Sequence, residues 1–140
     1  MLNESASILV LDDEPLIAEL LSELLSISGY QVTTCTRPDD ALAVAREGDF
    51  DLVLTDFCMP RMNGRQFYLA LCSIRPDLAN SVLFLTGGVL NSEMEAWLES
   101  MALPQMLKPF TMKSLQHAVT DALIRAAELQ DREGSACSPE

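Results

Sequence analysis

The residues of this sequence whose side chains could bind metals or take part in catalysis each follow a short apolar run. An acidic triplet, DDE at 12–14, follows one run, and Asp56 ends another. Thr86 and Lys108 occupy the corresponding place after two further runs. Carboxylates bind hard divalent cations or act as nucleophiles, while a lysine and a hydroxyl can contact phosphoryl oxygens. If these groups meet, the site they form resembles a phosphoryl-transfer centre.

The elements that must position these groups alternate between strand and helix. Each apolar run is short and nearly continuous, and the segments between runs carry apolar residues at helical spacing. This alternation predicts a parallel α/β sheet with helices on both faces. The predicted strands are 8–11, 30–35, 52–55, 82–85 and 105–107, and the predicted helices cover 15 to near 29, 38–45, about 67–74, 94–101 and 111–127.

One domain accounts for almost the whole sequence. The length of 140 residues suits a single core, and 49% apolar with 21% charged residues is ordinary globular usage. We expect residues 1–127 to form this domain. Apolar periodicity is lost from 128 to 140, where we expect a disordered tail.

The acidic, threonine and lysine side chains that follow the apolar runs are expected to lie at one edge of the sheet, since ligands of open parallel sheets bind beyond the carboxyl ends of the strands. If the strand order is 2-1-3-4-5, strands 1 and 3 are neighbours at about 4.8 Å. Asp12, Asp13 and Asp56 then crowd together, with Thr86 and Lys108 beside them. Three such carboxylates repel one another unless a cation compensates, and Mg²⁺ suits this donor set.

Four motifs in this order resemble the receiver domain of two-component response regulators. They are DDE at 12–14, LTDFCMP around the end of the third strand, TGG after the fourth, and LKPF at 107–110. The resemblance covers about residues 6–126. It implies a flavodoxin-like (βα)5 three-layer sandwich with the parallel sheet order 2-1-3-4-5.

The resemblance also implies a phosphoacceptor and a metal site. Asp56 would take a phosphoryl group from a phosphohistidine on a histidine kinase or phosphotransfer protein. Asp13, Asp56 and the backbone carbonyl of Cys58 would ligate Mg²⁺ directly, and Asp12 mostly through water. The module would catalyse only its own phosphorylation and dephosphorylation, so it would be a signalling module and not an enzyme.

Two further residues of the resemblance belong to the switch. Lys108 would pair with Asp56 and then with a phosphoryl oxygen, and its bond to Pro109 would be cis. Thr86 would move inward to the phosphoryl group and change the surface formed by the fourth helix, fifth strand and fifth helix. Receivers usually carry an aromatic residue three positions before the lysine, where this sequence has Gln105. We therefore expect output to be transmitted by another route.

Composition limits the partners. The net charge is −12 with nine Lys and Arg residues, which argues against direct contact with nucleic acid or an anionic membrane surface. No apolar run approaches the roughly 20 residues of a membrane span, and the N-terminus lacks a basic signal region. The four cysteines form no CxxC pair, which favours a reduced cytoplasmic compartment. We expect a monomer or weak homodimer whose kinase is separate or part of the same polypeptide.

Three other functions compete with this interpretation. A pseudo-receiver would act as a docking module without phosphorylation, and Gln105 is compatible with it. A Mg²⁺-dependent phosphatase of the haloacid-dehalogenase type would need a DxD arrangement after the first strand, which residues 12–14 do not provide. An FMN-binding flavodoxin would need hydroxyls and amides in that loop, where acids would repel a phosphate.

Overall fold

The computed structural model describes residues 6–87 and 90–137, with side chains described as far as residue 130. Five strands alternate with five α-helices and one short 3₁₀ helix. In chain order these are β1 Ser7–Leu11, α1 Pro15–Ile27, β2 Gln31–Cys35, α2 Pro38–Glu47, β3 Leu52–Asp56, α3 Gly64–Ile74, the 3₁₀ helix Pro76–Leu78, β4 Val82–Thr86, α4 Ser92–Met101, β5 Gln105–Leu107 and α5 Met112–Cys137.

The five strands form one parallel sheet in the order β2-β1-β3-β4-β5. The α/β class expected from the sequence and the strand order implied by the resemblance are both confirmed. The register places Leu11 beside Thr55, and Asp56 beside Leu85. Thr86 in turn pairs with Leu107, the residue before Lys108. The carboxyl ends of β1, β3, β4 and β5 therefore meet along one edge.

Two apolar layers hold the helices against this sheet, because successive strand side chains point to opposite faces. One layer packs α2, α3 and α4 against one face and includes Phe57, Phe67 and Phe84, all fully buried. The other packs α1 and α5 against the opposite face through residues such as Leu21 and Leu115. With both faces covered, the central strands can be apolar throughout.

Local sequence signals determine where the helices begin. Proline occupies the first turn of α1 and of α2, where its missing N–H costs no hydrogen bond. Asn63 begins α3 through a capping box: its side chain accepts the Gln66 N–H at 2.9 Å, and the Gln66 side chain accepts the Asn63 N–H at 3.0 Å. The long turn after β3 therefore ends at a fixed point.

The last helix differs from its expected length. The apolar period predicts an end near Ala127 and an irregular tail from 128 to 140, whereas α5 is helical as far as Cys137. The sequence Glu128-Leu129-Gln130 consists of good helix formers, which extend a helix without an apolar stripe. Residues 138–140 lie outside the described residues, and the domain boundary at 127 stays a prediction. No helix among the described residues is long and apolar enough to cross a membrane.

Gly64 closes the turn that follows β3. Its N–H donates to the Phe57 carbonyl at 2.7 Å, and a Cβ on Gly64 would lie 2.9 Å from the Phe57 Cα. We expect Gly64→Ala to lower the free energy of unfolding by about 2 kcal/mol, because the overlap is with backbone that cannot rotate away.

Urea unfolding of Gly64→Ala and of Gly48→Ala checks this expectation. A Cβ on Gly48 would meet the ring of Phe50 at 3.0 Å, which is the movable end of a side chain. Gly48→Ala should therefore stay within about 0.5 kcal/mol of the wild type. Equal midpoints for the two variants would show that the turn after β3 is not tightly closed.

Candidate phosphoryl-transfer site

Three carboxylates meet at the carboxyl edge of the sheet. Asp12, Asp13 and Asp56 each offer an oxygen, and these oxygens all lie within 4.8 Å of one another. Asp12 is fully buried and Asp56 is 5% exposed, while Asp13 is half-buried. The expectation that these three side chains crowd together is confirmed. Carboxylate oxygens at this separation match the ligand set of a hard divalent cation, so the residues fit Mg²⁺.

Backbone donors orient two of these carboxylates. Asp12 accepts the Glu14 N–H at 2.9 Å, while its own N–H donates to the Cys35 carbonyl at 3.2 Å. Asp56 accepts the N–H of Cys58 at 3.4 Å. The strand end and the start of the following turn thus fix each carboxylate, which is the preorganisation that a metal site or nucleophile needs.

Lys108 supplies the positive charge of the site. Its Nζ lies 3.2 Å from Asp12 Oδ2 and 3.5 Å from Asp56 Oδ1. The resemblance implies pairing with Asp56, which the structure shows, and the ammonium also pairs with the more deeply buried Asp12, slightly closer. The Lys108–Pro109 peptide bond is cis, as the resemblance implies. One ammonium between two buried carboxylates leaves the site net negative.

The charge balance changes the acidity of these groups. Burial, and next the charge of Asp12, raise the pKa of Asp56 to about 6, although Lys108 opposes this change. Burial lowers the pKa of Lys108, but the carboxylates of Asp56 and Asp12 outweigh it and leave that pKa above its ordinary value. In this net negative site the ionised carboxylates repel one another. A further bound cation would stabilise their ionised forms.

Thr86 and Gly87 complete the edge beside Lys108. Thr86 is 3% exposed and, by the alternation of β4, lies on the same face as Phe84. Its carbonyl accepts the Lys108 N–H at 2.8 Å. A Cβ on Gly87 would lie 3.0 Å from Lys108 Cβ, so a small residue here lets the lysine pass. Thr86 therefore lies at the same edge of the sheet as Lys108 and is joined to it through the backbone, while Gly88 lies outside the described residues.

Cys58 lies beside the carboxylates; the residue as a whole is exposed, while its thiol is partly buried. Burial of the thiol, and next the charge of Asp56, raise its pKa, which disfavours a reactive thiolate. Its position two residues after Asp56 is compatible with the use of its backbone carbonyl that the resemblance implies.

Sequence reasoning missed an apolar wall next to the site. A cleft of about 590 Å³ opens beside Asp56 and Lys108 and is lined on its other side by Ile17, Leu20 and Phe110. Ile17 and Leu20 lie at helical spacing and Phe110 follows the fifth strand, but the sequence cannot tell which of these apolar residues face a cleft. The only available signal was their place, directly after the acidic triplet and after the LKPF motif.

Comparisons with known proteins agree with this geometry. A family model described as response regulator receiver domain matches residues 8–120. The DNA-binding response regulator MtrA of Mycolicibacterium smegmatis is 34% identical over 119 residues, which are 84% of this chain and 50% of MtrA. The sensor histidine kinase RcsC of Escherichia coli is 33% identical over 118 residues, which are 84% of this chain and 12% of RcsC.

Solved structures give the same result. The crystal structure of a response regulator receiver domain protein from Clostridium thermocellum superposes with a TM-score of 0.75 at 30% identity, covering 89% of this chain and 98% of that one. This chain thus spans nearly all of that receiver domain, about half of MtrA and a small part of RcsC.

Proposed function

Since this chain belongs to the family of response regulator receiver domains, we propose that Asp56 accepts a phosphoryl group from a phosphohistidine. The donor is a histidine kinase or phosphotransfer protein, either separate or in the same polypeptide. The observation that carries the proposal is the cluster of Asp12, Asp13 and Asp56, with the Lys108 ammonium within 3.5 Å of Asp56 Oδ1. We place the protein in the cytoplasm as a monomer or weak homodimer.

The transfer is a substitution at phosphorus. An Asp56 carboxylate oxygen forms the new P–O bond while the P–N bond to the donor imidazole breaks, and its electron pair stays on the imidazole nitrogen, which takes up a proton. Lys108 holds a phosphoryl oxygen during this exchange, and the Thr86 hydroxyl donates to another afterwards. Dephosphorylation is a second substitution at phosphorus: water attacks and gives up a proton to the solvent, the P–O bond to Asp56 breaks with its electron pair returning to the carboxylate, and inorganic phosphate leaves.

Mg²⁺ belongs to this proposal because the site has an excess of carboxylate charge. Asp13, Asp56 and the Cys58 carbonyl would hold the ion directly, and Asp12 through water. When bound, Mg²⁺ neutralises charge on the phosphoryl oxygens. The chain itself contributes the fixed carboxylates and the lysine, and Asp12 is fully buried.

The direct test is incubation with Mg²⁺ and acetyl phosphate, followed by intact-mass spectrometry. We expect a gain of one phosphoryl group, and reduction of the product with borohydride should convert Asp56 alone to homoserine. No adduct with acetyl phosphate or any phosphohistidine donor would favour the pseudo-receiver. Continuous release of phosphate from a phosphate monoester would instead favour a phosphatase.

The apolar side of the cleft suggests where the donor protein docks. Leu16 is 78% exposed and Leu20 is 41% exposed, one turn apart on α1, and Leu20 lines the cleft that leads to Asp56. Exposed leucines on one helix face, beside the opening, fit the apolar surface of a helical donor.

Leu16→Ala is therefore expected to slow phosphotransfer from a protein donor by about tenfold, since an interface leucine at a good contact is worth over 1 kcal/mol. The rate with acetyl phosphate should not change, because the carboxylates are untouched. The donor is the histidine kinase that phosphorylates the wild-type protein fastest in a panel of purified kinases. Leu69→Ala is the matched control, since Leu69 is 53% exposed on α3, against the opposite face of the sheet. Equal effects of the two substitutions would place the donor elsewhere.

A further inference from the structure

Four aromatic side chains link the phosphoacceptor to helix α4. Phe57 lies edge-on to Phe84, with ring centroids 5.3 Å apart at 85°. Trp97 of α4 lies against Phe57 at 6.2 Å, Phe84 at 6.1 Å and Tyr68 at 5.7 Å. These separations are the ones at which aromatic pairs attract one another. We call Phe57, Tyr68, Phe84 and Trp97 the aromatic cluster.

One end of the aromatic cluster is fixed to the site. Phe57 directly follows Asp56, and its N–H donates to the Leu85 carbonyl at 2.9 Å. Phe84 lies two residues before Thr86 on the same face of β4. Both strand ends that would move when Asp56 carries a phosphoryl group and Thr86 engages it therefore bear a ring of the cluster.

The other end of the aromatic cluster, Trp97, is part of the small apolar face by which α4 packs against the domain. Leu98 is the only fully buried residue of this helix, and Trp97, Met94 and Met101 pack half-buried against the same layer. An element with so few buried side chains has a low free energy of local opening. Its position depends strongly on how Trp97 fits between the other rings.

Trp97 is also tied to the beginning of α3. The Arg65 guanidinium carbon lies 5.8 Å from the centroid of the Trp97 ring, and its Nη1 lies 4.0 Å from a Glu93 carboxylate oxygen. By contrast, β5 adds no ring here, because the residue that pairs with Phe84 is Gln105, which has no aromatic ring and is exposed. Trp97 therefore contacts the beginning of α3 as well as the other rings, whereas β5 has no ring contact with the cluster.

We propose that the aromatic cluster couples the phosphorylation state of Asp56 to the position of α4, with Trp97 as the residue that transmits it. This inference rests on the proposed function and adds its route of output. Close-packed rings move from one arrangement to another as a unit, because no free volume absorbs a shift of the strand ends. The output surface is then α4 and its edge with α3.

Hydrogen exchange of the peptides covering α4 tests the proposal, with intact mass measured on the same samples. In the wild type, Mg²⁺ with acetyl phosphate should change exchange in Ser92–Met101 by about fivefold or more, the low end of typical coupling between sites. In Trp97→Leu, phosphorylation should proceed as in the wild type while this response is lost. Trp97→Phe, which keeps a ring, should restore part of it.

Phe67→Leu is the matched control, because Phe67 is fully buried on α3 in the same layer but is not one of the four rings. It should keep the α4 response, and circular dichroism verifies that each variant is folded. Two results would overturn the coupling but leave the proposed function standing. One is a full α4 response in Trp97→Leu, and the other is a completely phosphorylated wild type with unchanged α4 exchange. A wild type without the mass gain would overturn the proposed function, and the coupling with it.

Discussion

Asp56→Asn is expected to take up no phosphoryl group from acetyl phosphate, while becoming more stable than the wild type at pH 7 without Mg²⁺. The first effect follows because an amide oxygen is a poor nucleophile and the carboxylate held beside both Lys108 and the Cys58 N–H is gone. The second follows because the substitution removes one of two buried negative charges that share a single ammonium.

The pH dependence has a defined sign. Burial and the charge of Asp12 raise the pKa of Asp56 from 3.8 to about 6, so the folded state holds more protons than the unfolded state between these values. By linkage, wild-type stability contributed by this group falls as pH rises from about 4 to about 6. Because solvent and Lys108 moderate the charge, we expect Asp56→Asn to gain about 1–2 kcal/mol at pH 7.

Urea unfolding between pH 4 and 7, without Mg²⁺, measures this gain. Asp51→Asn, at the opposite end of β3, is the control and should keep both the phosphoryl uptake and the wild-type pH profile. A variant at residue 56 that still gains the mass of one phosphoryl group would show that another residue is the phosphoacceptor. Equal stability of Asp56→Asn and wild type at pH 7 would show that the carboxylates do not repel one another.

The sequence predicts the architecture well because its signals are local. Each strand is a continuous apolar run, and the prolines at 15 and 38 mark helix starts that the structure confirms. The position of Asp56 follows from the same reasoning, since a run that stops at an acid identifies a strand end. The order of the strands depends on pairing between distant segments, so only the resemblance of the motifs predicts it.

What the sequence does not predict depends on contacts between distant elements. Phe57, Phe84 and Trp97 belong to different elements, and periodicity identifies each as apolar without showing that they meet. The closer approach of Lys108 to Asp12 than to Asp56 is a matter of tenths of an ångström between side chains of β1, β3 and the end of β5. The helical extension beyond Ala127 has no apolar stripe, so apolar periodicity does not indicate it and only the helix propensity of residues 128–130 favours it.

Lys108→Met is expected to slow phosphorylation by acetyl phosphate by about a hundredfold, the typical effect of removing one group that stabilises charge in a transition state. Methionine keeps the aliphatic stem that passes Gly87, so the substitution removes the charge with little change in packing. Without the ammonium, Asp12 and Asp56 face each other uncompensated at pH 7. We expect a loss of about 2 kcal/mol of stability, less than for a fully buried pair because the lysine side chain is 21% exposed.

This loss should depend on pH and Mg²⁺ in a way that a packing defect would not. Removing the ammonium raises the Asp56 pKa further above its ordinary value, so protonation relieves the repulsion and the deficit should shrink as pH falls towards 4. Saturating Mg²⁺ should also restore stability, since it binds the folded carboxylates. Lys113→Met, on the exposed side of α5, should show neither effect. A deficit of Lys108→Met that is constant with pH and unaffected by Mg²⁺ would mean that the lysine acts through packing, and that the three carboxylates do not form a metal site.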